Sequence, residues 1–238
     1  MIPRSSQIAV LALITLAGCA TPPPPRSGSP GRGEQIDHIV IATADLDEGC
    51  RKFQEWAGIR PVLGGEHPGR GTRNALLSLG PGLYLEIFAP VPGAELGSQD
   101  SFLTGLEGLN PIMWAVSTPD AEATAERLRG IGFEVSEPVA GSREKPDGSV
   151  LDWVVFGIKG EEAPGLPFFI QWGTGSSHPS TTSPGGCHLQ SLRITTPKVD
   201  TVYRLVKGLD LPVELVSGEP PAMEILLETP EGPVRLGG

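Results

Sequence analysis

The sequence predicts an α+β fold in which one unit, a strand, a helix and three strands, is used three times. Three observations carry that reading. Ile41-Ala42-Thr43-Ala44-Asp45, Val116-Ser117-Thr118-Pro119-Asp120 and Ile194-Thr195-Thr196-Pro197-Lys198 recur at intervals of 75 and 78 residues, a period too regular for a chance echo. Each follows an apolar, strand-like run and opens a stretch whose apolar residues repeat at helical spacing. Short apolar runs divided by Gly and Pro outnumber these helices, and no series of strand–helix–strand crossovers appears, which disfavours a parallel nucleotide-binding sheet.

The helices read as one-sided elements. In the first, Leu46, Cys50, Phe53 and Ala57 form the apolar stripe, Asp47, Lys52 and Glu55 lie on other faces, and Gly58 stands where a C-terminal cap belongs. Ala121, Ala125 and Leu128 form the second stripe, ended by Gly130; Val199, Val202 and Val206 form the third, followed by Gly208. The repeated threonine is expected at each N-cap, with proline at the first helical position where its missing N–H costs nothing. Strands are expected at 60–63, 75–79 and 83–88, at 133–136, 151–158 and 168–172, and at 213–217, 223–228 and 234–236. Two cationic stretches, "GGEHPGRGTRN" (64–74) and "SREKPDGSVLDW" (142–153), fall between strands at matching places in the first two units and are expected as loops.

The N-terminal residues speak to compartment. Arg4 precedes an apolar run, Ile8 to Leu16, too short to span a bilayer, which is the order of an export signal. The run ends in Leu16-Ala17-Gly18-Cys19, which resembles the lipobox of bacterial lipoproteins. That resemblance implies a signal peptide over 1–18, a lipidated Cys19, and a Pro/Gly-rich linker over 19–34 that lifts a domain off a membrane. Ala20, where an aspartate would signal inner-membrane retention, implies the periplasmic face of the outer membrane.

The formal charge of −10, one unit more acidic once Arg4 is removed, argues against a nucleic-acid partner. Of three cysteines, Cys50 and Cys187 remain; an oxidising envelope permits a disulfide, while the helical pattern around Cys50 favours a buried thiol. No Ser/His/Asp signature, phosphate-binding Gly-rich loop or Cys-x-x-Cys pair supports nucleophilic hydrolysis or phosphoryl transfer.

Candidate ligand-binding residues come from the two cationic stretches. His67, Arg70, Thr72, Arg73 and Asn74 offer donors suited to a carboxylate, a phosphate or vicinal oxygens; the alternative is a tight loop that bonds itself and pairs with surface acids. Arg143 and Lys145 precede a turn signal, Pro146-Asp147-Gly148, and either frame the same mouth or belong to a solvated hairpin. Trp153, Phe169 and Trp172 offer stacking surface or core. His178 reads as a rim proton shuttle or as part of a connector. In "LYLEIF" Glu86 shares a strand face with Tyr84 and Phe88, where an acid is costly unless paired, coordinated or solvated.

Four strings, "DHIVIATADLDEG" (37–49), "GGEHPGRGTRNALLSLGPGLYLEIFAP" (64–90), "SREKPDGSVLDWVVF" (142–156) and "PFFIQWGTGSSHPS" (167–180), resemble the glyoxalase-like domain family of the vicinal-oxygen-chelate superfamily. The resemblance implies two βαβββ modules over 35–180, a mixed, curved sheet forming a cup, short helices outside it, and a third, partial module over 186–238. It also implies one divalent metal (Zn, Mn, Ni or Fe) on the first and last strands of each module. Those positions are His38 and Glu86 in the first, and Met113 and Gln171 in the second, where a thioether reduces the expected ligands to His38, Glu86 and Gln171. Two functions follow from the resemblance. One is a metal-dependent lyase, isomerase or dioxygenase acting on a small anionic or carbonyl-bearing molecule. The alternative is a binding or sequestering lipoprotein with a metal-free cup.

Overall fold

Strand β1 (Gln35–Ala42) is the central rib of an eight-stranded sheet. It is followed by α1 (Leu46–Ala57), β2 (Val62–His67), β3 (Thr72–Ser78) and β4 (Tyr84–Pro90). The second module repeats the order with β5 (Asn110–Ser117), α2 (Ala121–Gly130), β6 (Val139–Glu144), β7 (Val150–Gly157) and β8 (Phe168–Trp172). The computed structural model describes residues 33–67, 69–144, 148–160 and 165–238. The signal peptide, Cys19, nearly all of the linker 19–34, and Lys145, Pro146 and Asp147 of the expected turn lie outside the described residues.

The strand order is β2-β3-β4-β1-β5-β8-β7-β6. In each module the first strand pairs parallel with the last, and the modules join through antiparallel β1 and β5. The result is a pseudo-twofold sheet whose curl makes a cup, the α+β fold expected from the repeat.

Caps and turns follow local chemistry, with one correction. In α1 and α2 the N-caps are Asp45 and Asp120, two residues after the expected threonines; their carboxylates accept from Glu48 N (2.9 Å) and Ala123 N (3.0 Å), while the helix after Thr196 starts from Lys198, which makes no side-chain cap bond. A carboxylate beside the free amides of a first turn also meets the helix dipole favourably, so it takes the cap. Thr118 instead ties the preceding turn, its hydroxyl 3.0 Å from Asp120 O and accepting from Asp120 N (3.2 Å). Gly58 caps α1 in the left-handed region as expected.

The second correction concerns the cationic stretches. Residues 64–67 belong to β2 and 72–74 to β3, so "GGEHPGRGTRN" is mostly a hairpin rather than a loop. The same holds in module two, where the strand expected at 133–136 is reduced to one bridge, Val135–Ile158, and β6 runs through Ser142 and Arg143. Pairing with long neighbours overrides weak local strand propensity here.

The core lies on the convex side of the sheet. Ile36, Ile39, Ile41, Ala75, Leu77, Leu85 and Ile87 face α1, whose Leu46, Cys50, Phe53 and Ala57 are buried as the stripe requires. Burying Phe53 completely contributes about 2–3 kcal/mol. Cys50 and Cys187 are both free and buried.

Residues beyond the cup add α3 (Pro179–Thr182), β9 (His188–Thr196), α4 (Val199–Gly208), β10 (Glu214–Ser217), β11 (Ala222–Thr229) and β12 (Gly232–Gly237). The element order repeats the module, but the wiring differs: the sheet runs β10-β9-β11-β12, so the first strand pairs with the second and third rather than with the last. Leu192, Ile194, Val202, Leu205, Ile225 and Leu227 join the convex core, so this unit closes the outer face and leaves the cup to the first two modules.

Candidate functional site

The cup opens on the concave face with a cavity of about 170 Å³. Its two halves differ in chemistry. Module one supplies a polar wall of His38, His67, Asn74, Glu86 and Tyr84; module two supplies Met113, Leu151, Trp153, Phe168, Ile170 and Trp172. One exception is Arg143, a cation from β6 at the edge of the apolar wall. Below the cavity, Val40, Ala42, Phe88 and Leu103 pack with Phe102, Ile112 and Met113, so the segment containing a 3-10 turn (Ser98–Leu103) plugs one end.

Two bulges aim the polar groups. Register along β1 and β5 shifts between Ile36 and His38, making Asp37 an extra residue. The phase of the strand changes there: Ile36 packs in the convex core, while His38 lines the cup. On β2 the shift falls between Leu63 and Gly65, making Gly64 the extra residue. A Cβ at Gly64 would land on Asn74 Oδ1 and within 2.8 Å of Leu76, so only glycine lets this backbone lie against the Asn74 amide. Thr72, Asn74 and Glu86 then project inward by ordinary strand alternation.

The polar wall is a connected network. Arg143 Nη1 donates to Asn74 Oδ1 at 3.0 Å. Because arginine only donates, the Asn74 amide nitrogen faces the other way, donating to Glu86 Oε1 (2.8 Å) and lying 3.2 Å from His67 Nε2. His67 therefore carries its proton on Nδ1, which donates to Thr72 Oγ1 at 3.0 Å. Burial pushes the His67 imidazole down to about 4, outweighing the opposing pull of Glu86, and the Arg70 and Arg143 cations add to the effect. Burial alone would raise Glu86. The imidazoles of His67 and His38, the Asn74 hydrogen bond and the Arg143 charge together hold it below the usual carboxylate range, so the cup contains a carboxylate anion.

Behind His38 stands Asp37, fully buried. His38 Nδ1 donates to its Oδ1 at 2.6 Å, while Trp172 Nε1 (3.0 Å) and His178 Nε2 (3.1 Å) donate to Oδ2. Burial would raise this carboxyl, but the hydrogen bonds from His178 and His38 outweigh it and hold it at about 2. Asp37 fixes the His38 ring so that Nε2 points at Glu86 Oε2, 3.8 Å away, with the ring stacked on Tyr84. Asp37 precedes His38 in the sequence, yet strict alternation assigns it to the opposite face; only the bulge brings it here.

Several expected site residues are placed elsewhere. Gln171 lies on the opposite strand face from Ile170 and Trp172, and its Oε1 accepts from Ala121 N (2.8 Å) at the start of α2. Arg73 faces outward toward Asp47 (3.3 Å) on α1. Arg70 lines the cup but is engaged by Asp100 through two bonds, 2.6 and 3.0 Å, over the Phe88 ring. Of the expected cationic clamp, Arg143 alone is left in the lining without a carboxylate of its own among the described residues. Trp153 lines the cup as expected, edge-on to Trp172; Phe169 is core.

The metal expected from the resemblance does not fit this donor set. His38 and Glu86 face the cup, but the second module offers Met113 and Ile170 there, and Gln171 is spent on a helix terminus. Among the described residues no three His, Cys, Asp or Glu side chains are grouped to hold an ion.

Comparison with known proteins agrees with the architecture. A hypothetical protein from Staphylococcus aureus is similar over 86% of this chain and 85% of its own, at 18% identity and a TM-score of 0.58, which shows the fold. Methylmalonyl-CoA epimerases are similar over less of the chain: for that of Streptomyces coelicolor, in complex with 2-nitronate-propionyl-CoA, the similarity covers 59% of this chain and 98% of its own at 21% identity and TM-score 0.43. The Mycobacterium tuberculosis enzyme covers 58% and 85% at 24% identity and TM-score 0.42. No curated protein matches the chain. The profile of the glyoxalase-like domain family matches residues 36–209, from the first strand through both modules to the end of α4, and with the paired βαβββ modules curled into one cup it shows that this chain belongs to that family.

Proposed function

We propose that this chain handles a small anionic or carbonyl-bearing molecule in the module-one/module-two cup, without a metal ring. The observation that supports this most directly is Arg143. It is 8% exposed, lines the cavity, and its Nε has no hydrogen-bond partner. A buried guanidinium with an unmet donor is costly to keep unless an acceptor arrives. The apolar wall opposite supplies most of the contact area, as small-molecule sites usually do. Native mass spectrometry of the purified chain tests the reading. A small molecule should be retained by the wild type and released in Trp153→Ala, which shortens the apolar wall. Wild-type protein without any bound molecule, and showing no stabilisation by small acids, overturns it.

A second reading, proton transfer beside a carbonyl, is favoured by one feature. His38, oriented by Asp37, presents Nε2 to the Glu86 carboxylate, so an imidazole and a carboxylate, each able to accept a proton, face the same cavity. Turnover of a bound carbonyl compound, lost in Glu86→Gln with binding retained, separates this from sequestration.

We further propose that Cys19 is lipidated and that the linker 19–34 tethers the cup, formed by 35–180 and backed by 186–238, to the periplasmic face of the outer membrane. Among the described residues no helix is long and apolar enough to cross a bilayer, so anchoring would rest on the lipid. Cys19→Ser should abolish palmitate incorporation and move the protein from the membrane to the soluble fraction.

A further inference from the structure

We infer that the cup is built for a two-headed ligand: a small acid whose carboxylate docks on Arg143 and whose hydrogen-bond-donating group, a hydroxyl or an amine a few bonds away, docks on Glu86 Oε2. The inference rests on the small-molecule reading above and adds the chemical class.

The argument begins with Asn74. Its one amide is used in both directions, accepting from Arg143 through Oδ1 and donating to Glu86 through Nδ2, so it holds the cation and the carboxylate apart by its own width. Arg143 and Glu86 are each 8% exposed, Asn74 4%. Opposite charges this well shielded from water would ordinarily pair directly. Here a neutral spacer keeps them apart, and each retains an unused function. Arg143 Nε lacks a partner. Glu86 uses Oε1 for Asn74, while Oε2 has no hydrogen-bond donor among the described residues and meets only His38 Nε2, at 3.8 Å.

Neighbouring charges leave these two functions to the ligand. Arg70 is neutralised by Asp100, and His67 is held neutral by burial and turned toward Thr72 and Asn74. Among the described residues, an oxyanion entering the cup therefore finds one cation without a carboxylate partner, Arg143, and a donor finds one carboxylate oxygen, Glu86 Oε2. A ligand with only one of the two groups would satisfy half the site. The remaining wall, Met113, Trp153, Phe168 and Trp172, is apolar and aromatic. A cavity of about 150 Å³ accommodates one benzene ring, so 170 Å³ with an open mouth suits a single-ring or branched-alkyl body carrying both heads.

Three probes dissect the heads: phenyllactate carries both, 3-phenylpropanoate lacks the hydroxyl, and methyl phenyllactate lacks the carboxylate. Titration calorimetry on the full-length, detergent-solubilised chain should show phenyllactate binding at least about tenfold tighter than either, the range expected for a hydrogen bond to a charged group. Arg143→Gln should erase the acid-over-ester preference while keeping the hydroxyl preference; Glu86→Gln should do the reverse. If Arg143→Gln fails to fold, Arg143→Lys, which keeps charge but loses the planar fork, should still lose most of the acid preference. Equal binding of all three probes, no binding of any, or variants that keep the wild-type ratios would overturn the inference. Equal binding leaves the small-molecule cup standing, and the native mass measurement judges that reading separately.

Discussion

Arg143 Nη1 donates to Asn74 Oδ1 at 3.0 Å, and this bond joins β6 at one edge of the curled sheet to β3 beside the other. Gly65, on the edge strand β2, lies against the same guanidinium. The seam of the cup is thus closed by a side chain where backbone pairing stops.

Asn74 should be the most sensitive residue of this seam. Asn74→Ala strips the partner from a buried cation and a buried carboxylate at once, which is expected to cost about 2–4 kcal/mol. Urea unfolding checks it, with an unchanged m-value showing that the native fold is retained.

Acid should weaken the protein in two separate windows. Unfolded His67 takes up a proton near pH 6.5, whereas in the fold it resists until about 4, so the unfolded state binds more protons between these values. The contribution is fully present above pH 6.5 and declines as pH falls, by at most about 3 kcal/mol at pH 4. Asp37 acts lower: its carboxyl, held at about 2 against 3.8, stabilises the fold above 3.8 and that contribution is lost toward pH 2. Melting temperature against pH should show both declines, and His67→Gln should flatten only the first.

Gly64→Ala tests the bulge. The new methyl would displace the Asn74 carboxamide and crowd Leu76, with an expected cost of about 2 kcal/mol. Near-ultraviolet circular dichroism should report disturbed packing of the cup aromatics while far-ultraviolet spectra stay native.

Gln171 gives the converse case. Its carbonyl accepts from the first amide of α2, so Gln171→Ala should lower stability by about 1 kcal/mol, as loss of a helix cap does. Affinity for phenyllactate should stay within twofold, because the side chain does not reach the cavity.

The two described thiols should be silent in the native state. Burial pushes Cys50 to about 11 and also raises Cys187, so neither forms much thiolate at pH 8. A thiol reagent should modify both rapidly only after unfolding.

Much of the architecture is legible in the sequence. The threefold recurrence around Thr43, Thr118 and Thr196 is read by direct repetition along the chain, and the one-sided stripes of the helices and the Gly58 cap rest on relations within a dozen residues, where period and turn chemistry act directly. In α1 and α2 the cap lies two residues beyond the threonine because threonine and aspartate compete for the same amides and the carboxylate wins. "GGEHPGRGTRN" looked like a loop because glycines have weak strand propensity; β3 and β4 supply the pairing that makes it a hairpin.

The candidate site divides along the same line. The family resemblance implies that His38 and Glu86 face inward, alternation groups Glu86 with Tyr84 and Phe88, and composition marks the cationic stretches as chemically distinct. Which side chains share a cavity depends on three single-residue bulges, at Asp37, Gly64 and Ile112, and on the curl that brings β6 to β2. Asp37 enters the site, and Gln171 and Arg73 leave it, because strand phase and sheet closure are set by pairing between segments far apart in the chain. Local period determines what each segment is; long-range register determines which of its faces meets the ligand.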